Sequence, residues 1–391
     1  MISHKYVAVK LKRIIIILFI PFFLFSCSSI KIRESIDINA SEDWITAGGT
    51  PELTNISRSK ALLKPPFKLA WSFGSEAAYS KNCISASDGV IFISNLKGEV
   101  IAIDIITGKS IGSFSYGKTS YSTPIIYKNR IIASFSDITK NTIVSYNLRN
   151  GSPDWERRTG EIYSSPVLAD GGVFFSTKKG NIVRINPDNG NEIWTLTGNN
   201  FRYKPVGFFT SPAVYGNCVI AGSIDSNLYC IDVNNGSIKW KYKTSNNIFA
   251  EASCYKGKVF FGSDDMFFYC VDTSGILSWK DSLGTKFNAS SSFYKDNIIV
   301  TGINGAIYSI KTNDGTLNWK YQTQGSIWTS PLVHGDLIFI GSFDKNFYCL
   351  DAVNGNPLWK YETEYRVRTS AVVWKNYIIV AGDDKEIYCF K

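Results

Sequence analysis

Apolar and polar residues alternate along this chain in short bursts that recur with one grammar. Read from Trp319, the sequence runs WKYQT, WTSPLVHGD, LIFIGSFDK and NFYCLDAVNG. Each burst is a short apolar or alternating run bounded by turn residues, the signature of a strand, so one unit holds four strands. A fixed phrase joins the third strand to the fourth: apolar residue, Asp, three residues, Gly, three residues, Trp. It reads YCIDVNNGSIKW ending at Trp240 and YCLDAVNGNPLW ending at Trp359. Looser copies end at Trp155, Trp194 and Trp319, and the copy at Trp279 is one residue shorter. The copy around Gly108 has Gly112 where Trp belongs. The turn glycines are Gly108, Gly151, Gly190, Gly236, Gly275, Gly315 and Gly355, with successive gaps of 43, 39, 46, 39, 40 and 40. A period near forty with four strands per unit predicts radial blades of one body, not separate domains.

The phrase has a local logic. Asp accepts hydrogen bonds from turn N–H groups two residues on, Gly supplies the positive φ, and Trp opens the fourth strand with a large face to lay on a neighbouring turn. The sequence ends at Tyr388-Cys389-Phe390-Lys391, a third strand with no Trp strand after it. The missing strand stands near the other end, as FKLAWSF over residues 67–73. Seven complete units and this three-plus-one unit predict an all-β fold. It is an eight-bladed β-propeller of four-stranded antiparallel blades, its ring closed by the N-terminal strand joining the C-terminal blade.

Residues 1–26 stand apart. Lys5, Lys10, Lys12 and Arg13 precede an apolar run over 14–25 that Pro21 interrupts. That run is well short of the roughly 20 residues a membrane-spanning helix needs, so it reads as a cleaved secretory signal. Leu24-Phe25-Ser26-Cys27 resembles a bacterial lipobox, which makes Cys27 the lipidation site and implies an outer-membrane lipoprotein. The expected organisation is a lipoprotein signal peptide at 1–26, a tether and lead-in at 27–66 and the propeller at 67–391. Within the lead-in, 28–42 reads as a free polar tether, and DWITAGGTPELTN (43–55) as a docked segment anchored by Trp44.

Charge adds little: the four cations of the signal bring the formal +9 of the whole chain down to +5, and no basic stripe marks a nucleic-acid partner. Cys230, Cys270, Cys349 and Cys389 share one repeat position directly after Tyr, where they read as small buried hydrophobes. Equivalent positions in separate blades lie too far apart for a disulfide. Cys83, Cys218 and Cys254 fall on other strands with no evident pair, so the expectation is mostly free, buried thiols.

The Asp–Gly–Trp phrase resembles the tryptophan-docking motif of the pyrroloquinoline-quinone-type β-propellers, over nearly all of 67–391. That family has a catalytic branch and a non-catalytic one, and the latter includes lipid-anchored propellers of outer-membrane β-barrel assembly. The catalytic branch implies a calcium-bound quinone over an adjacent Cys-Cys pair with an acidic base. No two cysteines are adjacent here, and Asp264-Asp265 and Asp383-Asp384 fall in turns where Asp is an ordinary turn former. After the signal the only histidine is His334, which cannot build a His-rich metal site. The expectation is no enzyme, no cofactor and no metal.

Two surfaces carry candidate binding residues. Where each innermost strand begins, units aligned on SPLV bring Lys81, Tyr121, Tyr163, Phe209, Ala250, Asn288, Trp328 and Arg368 to one level. Of these, Tyr121, Tyr163, Phe209, Trp328 and Arg368 form a funnel mouth suited to sugars, peptides or a flat ligand. The other surface is the excess of the 46-residue gap, TGNNFRYKPVG at 197–207. The resemblance implies that Phe201, Arg202, Tyr203 and Lys204 contact a barrel-assembly protein, with Glu251 as the only acidic residue of the following loop. The leading expectation is a periplasm-facing scaffold for outer-membrane protein assembly. The rivals are a cell-surface glycan- or peptide-binding propeller and, third, a quinone-dependent dehydrogenase.

Overall fold

The computed structural model describes residues 29–32, 34–39, 42–116, 118–137, 142–198 and 207–391. Every sheet is a four-stranded antiparallel blade, and among the described residues there are eight. The innermost strands of blades 1 to 8 are Tyr79–Ser87, Ile125–Tyr127, Val167–Ala169, Ala213–Tyr215, Ser253–Tyr255, Ser292–Tyr294, Leu332–His334 and Val372–Trp374. These strands touch those of neighbouring blades around the axis, including across the junction of blades 8 and 1. Closure follows the expected three-plus-one scheme: Leu69–Gly74 pairs antiparallel with Glu386–Phe390, setting Trp71 opposite Cys389.

The repeated phrase does its local work. In blade 4, Asp232 Oδ1 accepts the N–H of Asn234 at 2.9 Å, and Gly236 takes a φ of 74°. The indole of Trp194, from blade 3, lies over that turn so closely that a Cβ on Gly236 would come within 2.7 Å of the ring. Trp194 Nε1 also donates to Val233 O at 2.9 Å. The same step from one blade to the next recurs for Trp71, Trp155, Trp240, Trp279 and Trp319, which donate to Ile105, Pro187, Thr273, Thr312 and Ala352. Each indole thus couples apolar contact with a directional bond, pinning blade to blade. Trp359 has no such turn in blade 8 and packs instead on Phe67 and Phe390, with ring centroids 5.3 and 5.2 Å away.

One seam lacks its tryptophan because blade 1 carries Gly112. There a Cβ on Gly151 of blade 2 would meet Lys31 Cε at 2.8 Å and Ser29 Oγ at 2.9 Å, so the N-terminal segment covers the bare turn. Ile30 and Ile36 are buried with Phe92, Tyr146 and Leu148, and Ile32 N–H donates to Leu148 O at 2.7 Å. For the described residues of 28–42, this corrects the expectation of a free tether. The isoleucines spaced through that stretch bury too much apolar surface to stay in water.

The lead-in then crosses the face of the ring blade by blade. Trp44 bridges Ala86 of blade 1, Ile45 O accepts from Ile126 of blade 2, and Thr46 Oγ1 reaches Pro166 O before blade 3. Pro51 O accepts from Val214 of blade 4, and Glu52 O from Cys254 of blade 5. Asn55 bonds Ser290 and Ser291 ahead of blade 6, Ser57 N–H donates to Val333 O of blade 7, and Ser59 Oγ to Lys375 O in the first turn of blade 8. Trp44 is 5 % exposed, the anchor its sequence context implied. His334 clamps the last part: Nε2–H donates to Ala61 O at 2.7 Å and Nδ1 accepts from Ser57 Oγ at 3.0 Å.

One cysteine expectation needs correction. Cys218 and Cys230 form a disulfide, their Cα atoms 5.5 Å apart. They lie on neighbouring strands of blade 4, Cys218–Gly222 and Asn227–Asp232, where a diagonal pair falls within disulfide reach. Distance between blades had set the expectation, and within a hairpin that argument does not apply. Cys83, Cys254, Cys270, Cys349 and Cys389 are free and buried. Burial pushes the Cys270 thiol up to about 11 and those of Cys349 and Cys389 up to about 12, which marks them as packing residues.

Candidate functional site

The lead-in covers the face where the innermost strands end, and a cavity of about 220 Å3 opens at the opposite face, where they begin. Tyr121, Tyr163, Phe209, Trp328 and Arg368 all line it. In blade 5 the alignment is corrected by one residue. Phe249, not Ala250, stands at the level of the ring, its centroid 6.2 Å from Phe209, while Ala250 is buried behind it.

Four contiguous blades therefore contribute an aromatic arc. Tyr121 and Tyr163 lie 5.1 Å apart at 33°, Tyr163 and Phe209 6.3 Å apart at 49°, and Phe209 and Phe249 at 48°. Tyr121, Tyr163 and Phe209 of this arc line the cavity, and Phe249 continues it into blade 5. Trp328 of blade 7 faces it from across the ring, 41 % exposed and stacked on Phe343 at 5.6 Å.

Two residues deeper, the strands carry a belt of small polar side chains. Thr123 N–H donates to Ser165 Oγ, Ser165 N–H to Ser211 Oγ, Ser330 N–H to Ser370 Oγ and Ser370 N–H to Lys81 O. The Ser/Thr pairs singled out in the sequence thus serve close packing at the axis, with hydroxyls latching blade to blade. Glu251 interrupts this belt. Expected at a partner surface beside the 197–207 loop, it is instead 4 % exposed and part of the cavity wall. Its Oε2 lies 2.9 Å from Lys81 Nζ, and its Oε1 accepts from Ser211 Oγ and Asn82 Nδ2, both at 3.2 Å. Lys81 belongs to blade 1 and Glu251 to blade 5, so the pair spans the channel and floors the cavity.

The rim charges are paired too. Arg368 and Arg366 both hold Asp383, at 3.0 and 2.9 Å, with their guanidiniums over the Phe343 ring. Glu161 accepts from Tyr163 OH at 3.0 Å and pairs with Lys178 at 3.2 Å, a bond that raises the lysine above its ordinary value.

The residues here do not fit the quinone of the catalytic branch. Cys83 is the single cysteine at the belt level and is buried, Asp383 is committed to two arginines, and the Lys81–Glu251 bridge fills the floor. The other acidic pairs act as turn formers: Asp265 and Asp384 accept the hydroxyls of Tyr269 and Tyr388 and the N–H groups two residues on. Cys27, Phe201, Arg202, Tyr203 and Lys204 lie outside the described residues.

The family described as outer membrane protein assembly factor BamB matches residues 68–274 and 264–390. Among individual relatives, the assembly factor BamB of Shewanella oneidensis is 24 % identical over 249 residues, 59 % of this chain and 61 % of that protein. The tetrathionate hydrolase of Acidithiobacillus ferrooxidans is 25 % identical over 232 residues, 51 % of this chain and 45 % of that protein. The match thus spans less than two thirds of either relative. Among solved structures, BamB from Moraxella catarrhalis superposes with a TM-score of 0.68 at 14 % identity, covering 84 % of this chain and 98 % of that one. The quinohemoprotein alcohol dehydrogenase of Comamonas testosteroni gives 0.75 at 13 % identity, covering 90 % and 81 %. At such identities these structures share the fold, and the fold alone serves both assembly factors and enzymes.

Proposed function

The chain belongs to the outer membrane protein assembly factor BamB family, and from that membership we propose a lipid-anchored, non-enzymatic scaffold of outer-membrane β-barrel assembly, its propeller facing the periplasm. The observation that carries this reading is the family match across the whole ring, residues 68–274 and 264–390. The lipobox-like segment ending at Cys27 supplies the anchor. A ring pinned at its seams by docked tryptophans is a rigid frame, and recognition on such a frame falls to its loops. We assign partner contact to Phe201, Arg202, Tyr203 and Lys204 in the longest gap between blades, two aromatics and two cations of the kind that anchor interfaces.

The test is a crosslinked pull-down from cell envelopes. A Phe201→Ala, Arg202→Ala double variant should keep its melting temperature and lose a co-purifying β-barrel partner. Such anchors cost about 2 kcal/mol, or roughly thirtyfold in affinity, when truncated. The comparison is Trp328→Ala with Arg368→Ala at the funnel. Loss of the partner in the funnel variant, with retention in the loop variant, would overturn the assignment.

A further inference from the structure

We propose that the funnel is a binding site for the end of a neutral oligosaccharide, a role separate from the loop-borne contacts above and independent of them. The cavity is small for a ligand site, about 220 Å3 against the roughly 300–1,000 Å3 of drug-sized pockets, so it admits one ring of a chain rather than a fused polycycle. Its walls carry aromatic rings: Tyr121, Tyr163 and Phe209 of the tilted arc, and Trp328 opposite. Such faces stack on the C–H surface of a pyranose as they do on other apolar planes.

The polar groups narrow the chemistry further. Lys81 is matched by Glu251, Lys178 by Glu161, and Asp383 is shared by Arg366 and Arg368. A site so nearly balanced offers donors and acceptors side by side, which suits hydroxyl groups and gives a polyanion little attraction. A peptide is served less well. The backbone N–H groups of Thr123, Ser165, Ser330 and Ser370 are already bonded within the belt, leaving fewer groups in the wall for another chain to pair with. The open face lets the rest of a glycan run out into solvent, and the docked lead-in and the Lys81–Glu251 floor make the site blind.

The experiment uses the mature chain, titrated by tryptophan fluorescence and calorimetry. The probes are maltotetraose, cellotetraose and chitotetraose, with the tetrapeptide Ala-Ala-Ala-Phe and trigalacturonate as controls. At least one neutral tetrasaccharide should bind in the millimolar range or tighter and perturb Trp328, and Phe209→Ala should weaken it about tenfold. Trp328→Ala should remove the fluorescence response without lowering the melting temperature, since this ring is 41 % exposed. The proposal fails if none of the three neutral sugars binds, if only the peptide or the acidic sugar does, or if sugar binding survives both substitutions.

Discussion

Lys81 and Glu251 meet across the axis of the ring at 2.9 Å, joining blade 1 to blade 5 through the floor of the funnel. Neither residue is near the other in sequence, and the carboxylate is 4 % exposed while the lysine keeps 27 %. Removing one partner of such a pair strands the other. Glu251→Ala should lower stability by about 3 kcal/mol, the low end for a broken buried pair because Lys81 retains some solvent. A Glu251→Gln, Lys81→Met variant should recover most of the loss, as read by urea denaturation. Equal stability of Glu251→Ala and the parent would show that the bridge does not brace the ring.

Closure of the ring rests on Trp71 and its strand. Deleting residues 67–73 bares the edge of Glu386–Phe390 and removes both the Trp71–Ile105 bond and the Phe67–Trp359 contact. Loss of a core aromatic alone costs about 3–5 kcal/mol, before the unpaired strand is counted. Calorimetry should show a marked fall in melting temperature together with concentration-dependent association.

His334 makes the docked lead-in sensitive to acid. Burial lowers its pKa below the ordinary 6.5, while the bond to Ala61 O opposes the shift. The unfolded chain therefore binds the proton first as pH falls. Stability from this residue is whole above 6.5 and declines below it until the folded form is protonated too. His334→Gln should flatten the melting-temperature profile across that window, and an unchanged slope would reject the role.

The Cys218–Cys230 bridge closes a short loop, with a sequence separation of 12. Crosslinks of that span contribute about 2–3 kcal/mol. Alkylation of the denatured, unreduced protein should label Cys83, Cys254, Cys270, Cys349 and Cys389 and spare Cys218 and Cys230. A Cys218→Ser, Cys230→Ser variant should unfold at correspondingly lower denaturant.

Cys27→Ala should abolish acylation, because the thiol is the acceptor in the lipobox reading. Cells fed labelled fatty acid provide the assay. Label retained in the variant would remove the anchor from the proposed function.

The blade count and the docking of Trp on a neighbouring turn were legible because Gly and Trp answer each other in those turns. Gly236 needs positive φ and bare space, and Trp194 needs that space to lie in. The funnel level was legible wherever the spacing to SPLV was regular, and it slipped at Phe249, where the sequence reads FAEAS and offers no proline to fix the register. Glu251 was misplaced for a deeper reason. Its neighbours in sequence suggest a loop, and its true partner, Lys81, arrives only when the ring has closed. The path of the lead-in was hidden because most of its bonds to the blades use backbone groups, which leave no mark in residue type.

The lead-in touches every blade, and the strand that follows it belongs to the last one, so order of synthesis and order of assembly run against each other. Leu69–Gly74 leaves the ribosome ahead of blades 1 to 7, yet it finds its place only beside Glu386–Phe390. Blades 1 to 7 are each contiguous in sequence and can form in turn, but Leu69–Gly74 has to stay unpaired until the final strand exists. A strand made before seven of the blades is therefore the last to be fastened. In the interval Leu69, Trp71 and Phe73 lack their final partner strand, and that is when a holding chaperone would have most to grip.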